Sequence, residues 1–418
     1  MALLSHLGTS SLGSKSSWLV LSLLVGCAGA FSSLPAPAVN LFPCPLLPVS
    51  EGAKLTTITH DGVSRSWYTY VPASVTAAQA VVPLVVDLHG LYGCVTKGVQ
   101  TGTGWLSKAE EFGFILVWPM AADEPIGENG LTAGARWNAG MCDECLCENC
   151  VYVGQSATAC CRVDADAADV PSNNADDVGF LREVVAQVAA AHPVDTTRVY
   201  VTGHSYGCLM AQRVLAQASD LVAAVACFSG LLALSNDLGV FPLTELSSEY
   251  TPRPLMVIHG TADAIVPYEP ASFPYANAPY PIPGAEANLA LWGSYNGCPE
   301  EAATETALDN YTLHEINCNG VVSALVEMPG VGHWPFYHAR EAIEGFDNYD
   351  ELGPVASFDT TQLAWDFLKA ASIILLPDIL SAAFNSCPVG CMSANARQRG
   401  KLPFGSFCPE SPDSCVST

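Results

Sequence analysis

The chain is predicted to be an α/β protein with a mostly parallel central sheet and helices on both faces, and three observations carry that prediction. Short apolar runs alternate with amphipathic stretches of helical length from Leu84 to Ile258, the pattern of buried parallel strands joined through covering helices. Hydrophobic residues make up 50% of the 418 positions and charged residues only 14%, which excludes disorder for most of the chain and leaves enough of it for one large core or two ordinary domains. A β-branched segment, Arg198 to Thr202, runs straight into Gly203-His204-Ser205-Tyr206-Gly207 and then into a helical stretch, Cys208 to Ala216, so a sharp strand-turn-helix corner is expected there.

Taken in order, the chain opens with Trp18 to Gly29, an apolar stretch of signal-peptide length preceded by Lys15 and followed by Ala28-Gly29-Ala30. Residues 1–30 therefore read as a secretory leader cleaved after Ala30. Two alternatives stay open: Leu24-Val25-Gly26-Cys27 as a bacterial lipoprotein box, and Phe31 as the first residue after a plastid-type leader. Residues 31–52 form a lead-in with five prolines and no charge between Phe31 and Val49, extended in character rather than packed. The body of the protein is placed at residues 53–373. Its strand candidates are Arg65 to Val71, Leu84 to Leu88, Phe114 to Trp118, Val199 to Thr202, Val222 to Phe228 and Leu255 to Ile258. Asp177 to His192 is the best helix, with Val178, Leu181, Val185 and Val188 three and four apart and Asp176 as its N-cap. Thr360 to Ala371 closes the body. Residues 374–418 form a tail carrying Cys387, Cys391, Cys408 and Cys415. Ala371 to Phe384 is apolar, but Pro377 interrupts it, so no membrane span is expected.

Charge and cysteine content narrow the partners. With 41 acidic and 16 basic residues, the formal net charge is −25, which opposes binding to nucleic acid through counterion release. The 17 cysteines suggest an oxidising, extracellular setting, and cleavage after Ala30 removes Cys27 and leaves an even number. Six cysteines, Cys142, Cys145, Cys147, Cys150, Cys160 and Cys161, crowd an insertion at residues 141–174. Tetrahedral zinc is one reading of that spacing. Disulfides are preferred, because Asp143, Glu144 and Glu148 disfavour thiolates and the leader implies oxidation; six cysteines allow 15 pairings, and the connectivity stays open. Cys298 and Cys318 are expected to close a helix-to-strand excursion, and Cys208 and Cys227 are expected to be buried thiols. Asn310-Tyr311-Thr312 is an N-glycosylation sequon.

The chemistry is sought at Gly203-His204-Ser205-Tyr206-Gly207, which fits the G-x-S-x-G nucleophile elbow. A chain this long matches that pattern by chance roughly one time in six, so the strand-turn-helix context matters more than the match. A serine hydroxyl needs an imidazole base, and the base needs a carboxylate to fix its tautomer. The order expected along such a chain is Ser, acid, His. Asp263 follows the strand Leu255 to Ile258 in His259-Gly260-Thr261-Ala262-Asp263; its competing reading is an Asx-turn ahead of Val266-Pro267. His333 and His338 follow, with His314 inside a polar strand candidate; His333 is preferred, since Gly330-Val331-Gly332 permits the backbone approach a catalytic loop requires. Acyl transfer also requires oxyanion donors, assigned to the backbone amides of Tyr206 and of Leu91, after Leu88-His89-Gly90. His89 is expected to be an oriented structural residue.

Several segments together resemble one family: Leu88-His89-Gly90, Arg136-Trp137-Asn138-Ala139-Gly140, Asp176-Asp177-Val178-Gly179-Phe180, the elbow, His259 to Asp263, Asn296-Gly297-Cys298, and Gly332-His333-Trp334-Pro335. From Leu55 to Lys369 the chain is similar to the feruloyl esterase and poly(3-hydroxybutyrate) depolymerase group of α/β-hydrolases. The resemblance implies the α/β-hydrolase fold, a Ser205, Asp263 and His333 triad, and no metal or organic cofactor. Its implied substrates are feruloyl or acetyl esters of plant-wall polysaccharide, or polyester. Trp137 and Trp334, inside these motifs, are the expected substrate-binding side chains. Cys208-Leu209 departs from the small pair that follows the family elbow. The rival functions are a peptidase or acyltransferase on the same three residues, and a non-catalytic secreted binding protein on the same scaffold.

Overall fold

The computed structural model describes residues 50–78, 80–91, 102–126, 131–139, 175–232, 246–272, 281–299, 302–337 and 352–373. The leader, the Cys-rich insertion, the tail and His338 lie outside the described residues. The chain opens with β1 (Lys54–His60), β2 (Val63–Tyr70) and α1 (Ala73–Ala78), followed by β3 (Val82–Leu88), α2 (Trp105–Phe112) and β4 (Ile115–Pro119). A small pair, β5 (Ala122–Ile126) and β6 (Leu131–Arg136), precedes α3 (Asp177–Ala191), β7 (Val194–Gly203), α4 (Tyr206–Gln217), β8 (Ala224–Phe228) and β9 (Leu255–Gly260). The second small pair, β10 (Ala271–Ser272) and β11 (Pro281–Ile282), leads into α5 (Ala285–Tyr295), β12 (Ala303–Ala307), β13 (Thr312–Cys318), β14 (Val321–Met328) and α6 (Thr360–Leu368).

Among the described residues, the main sheet runs β1-β2-β4-β3-β7-β8-β9-β14-β13-β12, with parallel pairing from β4 through β14. This is the α/β-hydrolase arrangement that the motifs implied. Its faces follow from handedness: β3 to β4 steps one way along the sheet, while β4 to β7 and β7 to β8 step the other. Right-handed crossovers therefore send α2 to one face and α3 and α4 to the opposite face. The order reverses between β3 and β7. At such a switch point, the loops after two neighbouring parallel strands diverge and leave a crevice at the strands' C-terminal ends.

Local chemistry accounts for the elements. In α3, Phe180, Leu181, Val184, Val185 and Val188 are buried, and the Asp176 carboxylate accepts from Gly179 N–H, as an N-cap should. β3 and β4 are buried along nearly their whole length, which is why they read as apolar runs, interrupted only by Asp87 in β3. The flanking hairpins were not anticipated. β1 is polar and largely exposed, but it is joined to β2 through Asp61-Gly62, both at positive φ (49° and 76°). Asn319-Gly320 (54° and 79°) joins β13 to β14 in the same way. Both are the two-residue turns that match strand twist.

Two cysteine expectations have different outcomes. Cys298 and Cys318 form the expected disulfide, with Cα atoms 5.5 Å apart. Cys208 and Cys227, expected as free thiols, are instead bonded to each other, with Cα atoms 5.1 Å apart. The β7-α4-β8 crossover lays the first turn of α4 back across β8, so a helix residue and a strand residue 19 positions apart face each other.

Asp87 lies inside β3 and is buried, and its Oδ2 accepts from Thr103 Oγ1 at 3.2 Å and Trp118 Nε1 at 3.1 Å. Burial pushes its carboxyl group up to about 7, against the two hydrogen bonds that favour the ionised form. Because the folded value lies above the unfolded one, the stability this group contributes is fully present below about pH 4 and is lost as pH rises through about 7. Asp87→Asn keeps an acceptor without a charge. Its stability relative to wild type is expected to rise by a few kcal/mol, on the order of 1 to 4, between about pH 5 and about pH 8, read from urea midpoints.

Candidate active site

Ser205 stands between the last residue of β7 and the first of α4, with φ 57° and ψ −121°. A non-glycine residue at such a φ is strained and persists only where its surroundings over-determine it. Here they do. Ser205 N–H donates to Phe228 O at 2.8 Å, and Ser205 O accepts from Cys208 N–H at 2.8 Å. A methyl group at Gly207 would run into the carbonyl oxygens of Leu88 and His89, so the first turn of α4 rests directly on the end of β3. That crowding is the reason the elbow requires glycine.

Asp263 sits just beyond β9, and its two oxygens have separate partners. Oδ1 accepts from the backbone N–H groups of Ile265 and Val266, each at 2.8 Å; Oδ2 accepts from His333 Nδ1 at 2.7 Å. The Asx-turn and the acid-base pairing are thus properties of one side chain. His259 donates Nε2–H to Val266 O at 2.8 Å and lies 3.4 Å from Asp263 Oδ2. Burial by itself raises the Asp263 pKa, but the hydrogen bonds from His259 and His333, with their charge interactions, reverse this and hold the carboxyl well below the usual carboxylate range. An ionised Asp263 can only accept, so Nδ1 of His333 carries a proton, and in the neutral ring Nε2 is the atom with the lone pair. The His333 loop is seated by His333 N–H on Leu352 O and Gly332 N–H on Pro354 O. A methyl at Gly332 would strike the backbone of residues 352 and 353. His314 instead faces Glu327 across β13 and β14.

The loop after β3 is braced from beneath. His89 Nε2 accepts from Ala121 N–H at 3.1 Å, which leaves Nδ1–H to donate to Gly90 O at 2.8 Å. Burial pushes the His89 pKa down to about 4, with Arg65 adding to the effect against the Gly90 hydrogen bond, so the brace is neutral. The Trp137 indole N–H donates to His89 O at 2.9 Å, and the two rings lie 5.0 Å apart. Asn138 N–H donates to Asp177, which is ion-paired with buried Arg65, while Arg213 of α4 donates to Asn138 O and to its Oδ1 at 2.7 Å. One network therefore joins β2, the end of β6, α3 and α4 under the loop. Gly90 is the point where that loop meets the elbow: a methyl there would lie 3.6 Å from Ser205 Cβ. Leu91 is exposed, and Tyr206 opens α4.

The two tryptophans do not occupy the places expected of substrate-binding side chains. Trp137 is fully buried, and Trp334 is 7% exposed with its ring against His204 at 4.8 Å. Both pack inward against a histidine ring, Trp137 on His89 and Trp334 on His204. Sequence reasoning passed over His204 and His259. Their only sequence signal was position, one beside the nucleophile and one four residues before the acid. Among the described residues, no group of three His, Cys, Asp or Glu side chains is arranged to hold a metal ion, and no helix is long and apolar enough to cross a membrane.

A serine on a strained elbow after β7, and an Asp–His pair on the loops after β9 and β14, lie at one edge of a sheet in hydrolase order: the chain has the fold of an α/β-hydrolase. No family profile matches it, yet it aligns with curated esterases, in keeping with the resemblance read from its motifs. It is 26% identical over 264 residues to feruloyl esterase B of Piromyces equi, covering 63% of this chain and 41% of that protein. It is 24% identical over 328 residues to a probable acetylxylan esterase A of Neosartorya fischeri, covering 71% of this chain and 74% of the relative. The chain thus spans less than half the length of the Piromyces protein. Among solved structures, an acetyl xylan esterase from Aspergillus awamori superposes with a TM-score of 0.43 at 16% identity, covering 72% of this chain and 98% of that one.

Asp177→Ala would leave the Arg65 guanidinium buried without its counter-charge and Asn138 N–H without its acceptor. Denaturant unfolding is expected to show a loss of about 3 to 5 kcal/mol.

Proposed function

We propose that the chain is a secreted serine carboxylic ester hydrolase acting through an acyl-enzyme, with feruloyl or acetyl esters of polysaccharide as substrates. The observation that carries this reading is the 2.7 Å hydrogen bond between His333 Nδ1 and Asp263 Oδ2. It leaves Nε2 of His333 as the basic atom, in a chain whose elbow serine precedes both residues in the hydrolase order.

In the proposed reaction, Ser205 Oγ attacks the ester carbonyl carbon as its proton passes to His333 Nε2. Asp263 holds the imidazole in the competent tautomer and stabilises the imidazolium, remaining ionised itself. The negative charge forming on the carbonyl oxygen is met by the amides of Tyr206 and Leu91, the first reinforced by its place at the start of α4. The imidazolium proton goes to the departing alcohol oxygen. Water then attacks the acyl-enzyme, giving a proton to His333, which returns it to Ser205 Oγ as the bond to the acyl carbon breaks and the carboxylic acid is released. The contact between Ser205 Oγ and His333 Nε2 is of the kind that tightens once substrate is bound. The aligned curated relatives, named feruloyl and acetylxylan esterases, support an ester substrate over a peptide.

Ser205→Ala is expected to abolish hydrolysis of methyl ferulate and p-nitrophenyl acetate with an unchanged circular dichroism spectrum, because the hydroxyl forms the covalent bond. A variant that is natively folded yet hydrolyses at a tenth of the wild-type rate overturns the reading. Asp263→Asn retains a side chain of similar size but favours the wrong histidine tautomer, and a loss in turnover of roughly 10⁴ is expected by the serine-triad template. Glu269→Gln, on the exposed part of the same loop, should leave turnover unchanged. The opposite result for this pair of variants removes Asp263 from its role.

A further inference from the structure

We propose that His204 is a positioning residue: its side-chain N–H, donated to the carbonyl oxygen of His333, ties the loop of the base to the nucleophile's own turn. The kinetic consequences rest on the esterase reading above; the tie itself rests on geometry.

His204 is buried, and its Nε2 lies 2.6 Å from His333 O. A carbonyl oxygen only accepts, so Nε2 carries the proton and the tautomer is fixed. The ring is enclosed by three others, His333 at 4.8 Å, Trp334 at 4.8 Å and Phe336 at 5.7 Å. Burial, reinforced by neighbouring His333, holds the His204 pKa down to about 3. The donor is thus neutral across the working range, and proton transfer places the new positive charge on His333 alone.

The main chain of His204 is anchored on three sides. Its N–H donates to Leu88 O at 3.3 Å, its carbonyl accepts from Gly207 N–H at 2.9 Å, and it bridges to Phe228. The remaining hydrogen bonds that seat the base loop run elsewhere. Ala262 N–H reaches Val331 O, Gly332 and His333 N–H reach residues 354 and 352, and Thr360 Oγ1 reaches Pro335 O. Among the described residues, the His204 side chain therefore supplies the hydrogen bond that spans from the elbow to the base loop. It issues from the residue immediately before Ser205, so the separation of nucleophile and base is set through one short lever. A misplacement of about 1 Å between reacting groups costs on the order of 10²-fold in rate.

The competing explanation is that the ring only fills space beside Trp334 and Phe336. His204→Phe keeps a ring and deletes the donor; His204→Gln deletes the ring and keeps an amide N–H near the position of Nε2. Both are made in the full chain, with kcat and KM on p-nitrophenyl acetate, thermal midpoint, and hydrogen exchange over residues 331–336 measured alongside wild type. The expected result for His204→Phe is a kcat about 10- to 100-fold lower, KM within about twofold, and faster exchange in 331–336. His204→Gln should recover most of both effects. If the Phe variant does not fold, His204→Asn, whose shorter amide cannot reach His333 O, takes its place. Wild-type kcat and exchange in the donor-less variant overturn the proposal, as does a Gln variant as impaired as the Phe variant. If wild-type protein hydrolyses no ester while exchange rises in the Phe variant and is restored in the Gln variant, the esterase reading fails and the tie stands.

Discussion

The contact on which the rest of the site depends is between backbones: the first turn of α4 pressed onto the carbonyl ends of β3, where Gly207 has no room for a side chain beside Leu88 and His89. Two parallel strands, β3 and β7, are neighbours in the sheet, and the chain leaves their ends in opposite directions along it. The elbow turns over the gap, forcing Ser205 into a positive φ, and the loop after β3 has to pass beside it at Gly90. Ser205 and the loop after β3 are thereby set against each other by backbone packing alone.

Around that contact, the charges on Arg65, Asp177, Asp263, His89 and His204 are each either fixed or absent. Arg65 and Asp177 neutralise each other under the loop after β3. Asp263 is held ionised by donors on both oxygens. His89 and His204 are held neutral by burial, and each is committed to one tautomer by a backbone partner. In a low-dielectric interior, an uncommitted ionisable group close to the reacting atoms would blur the proton's path. Among these histidines, His333 is the one that has a carboxylate on Nδ1, which is why it is proposed as the base for Ser205.

The disulfide between Cys208 and Cys227 adds a covalent anchor to the same corner. It joins Cys208, the residue after Gly207, to Cys227 on β8. With Ser205 N–H on Phe228 O, the start of α4 is joined to β8 by both a hydrogen bond and a covalent bond. The turn at Ser205 is thus tied to the strands on either side of β7.

The sequence by itself determined the alternation of strands and helices, the elbow at Ser205, the order of acid and histidine after it, and the bracing character of His89. These are legible because they rest on local rules: burial periodicity, a turn that needs glycine at set places, and a fixed chain order. Asp61-Gly62 and Asn319-Gly320 were equally legible as hairpin turns, but the polar strands beside them hid the signal. Only the tertiary structure decided which side chains meet across long separations. Cys208 found Cys227, Asp177 took up both Arg65 and Asn138, Trp137 and Trp334 turned inward onto histidines, and His204 reached the carbonyl of a residue 129 positions away. Such contacts depend on how helices and loops close over the sheet, and that closure is set by packing of the whole core rather than by any local pattern.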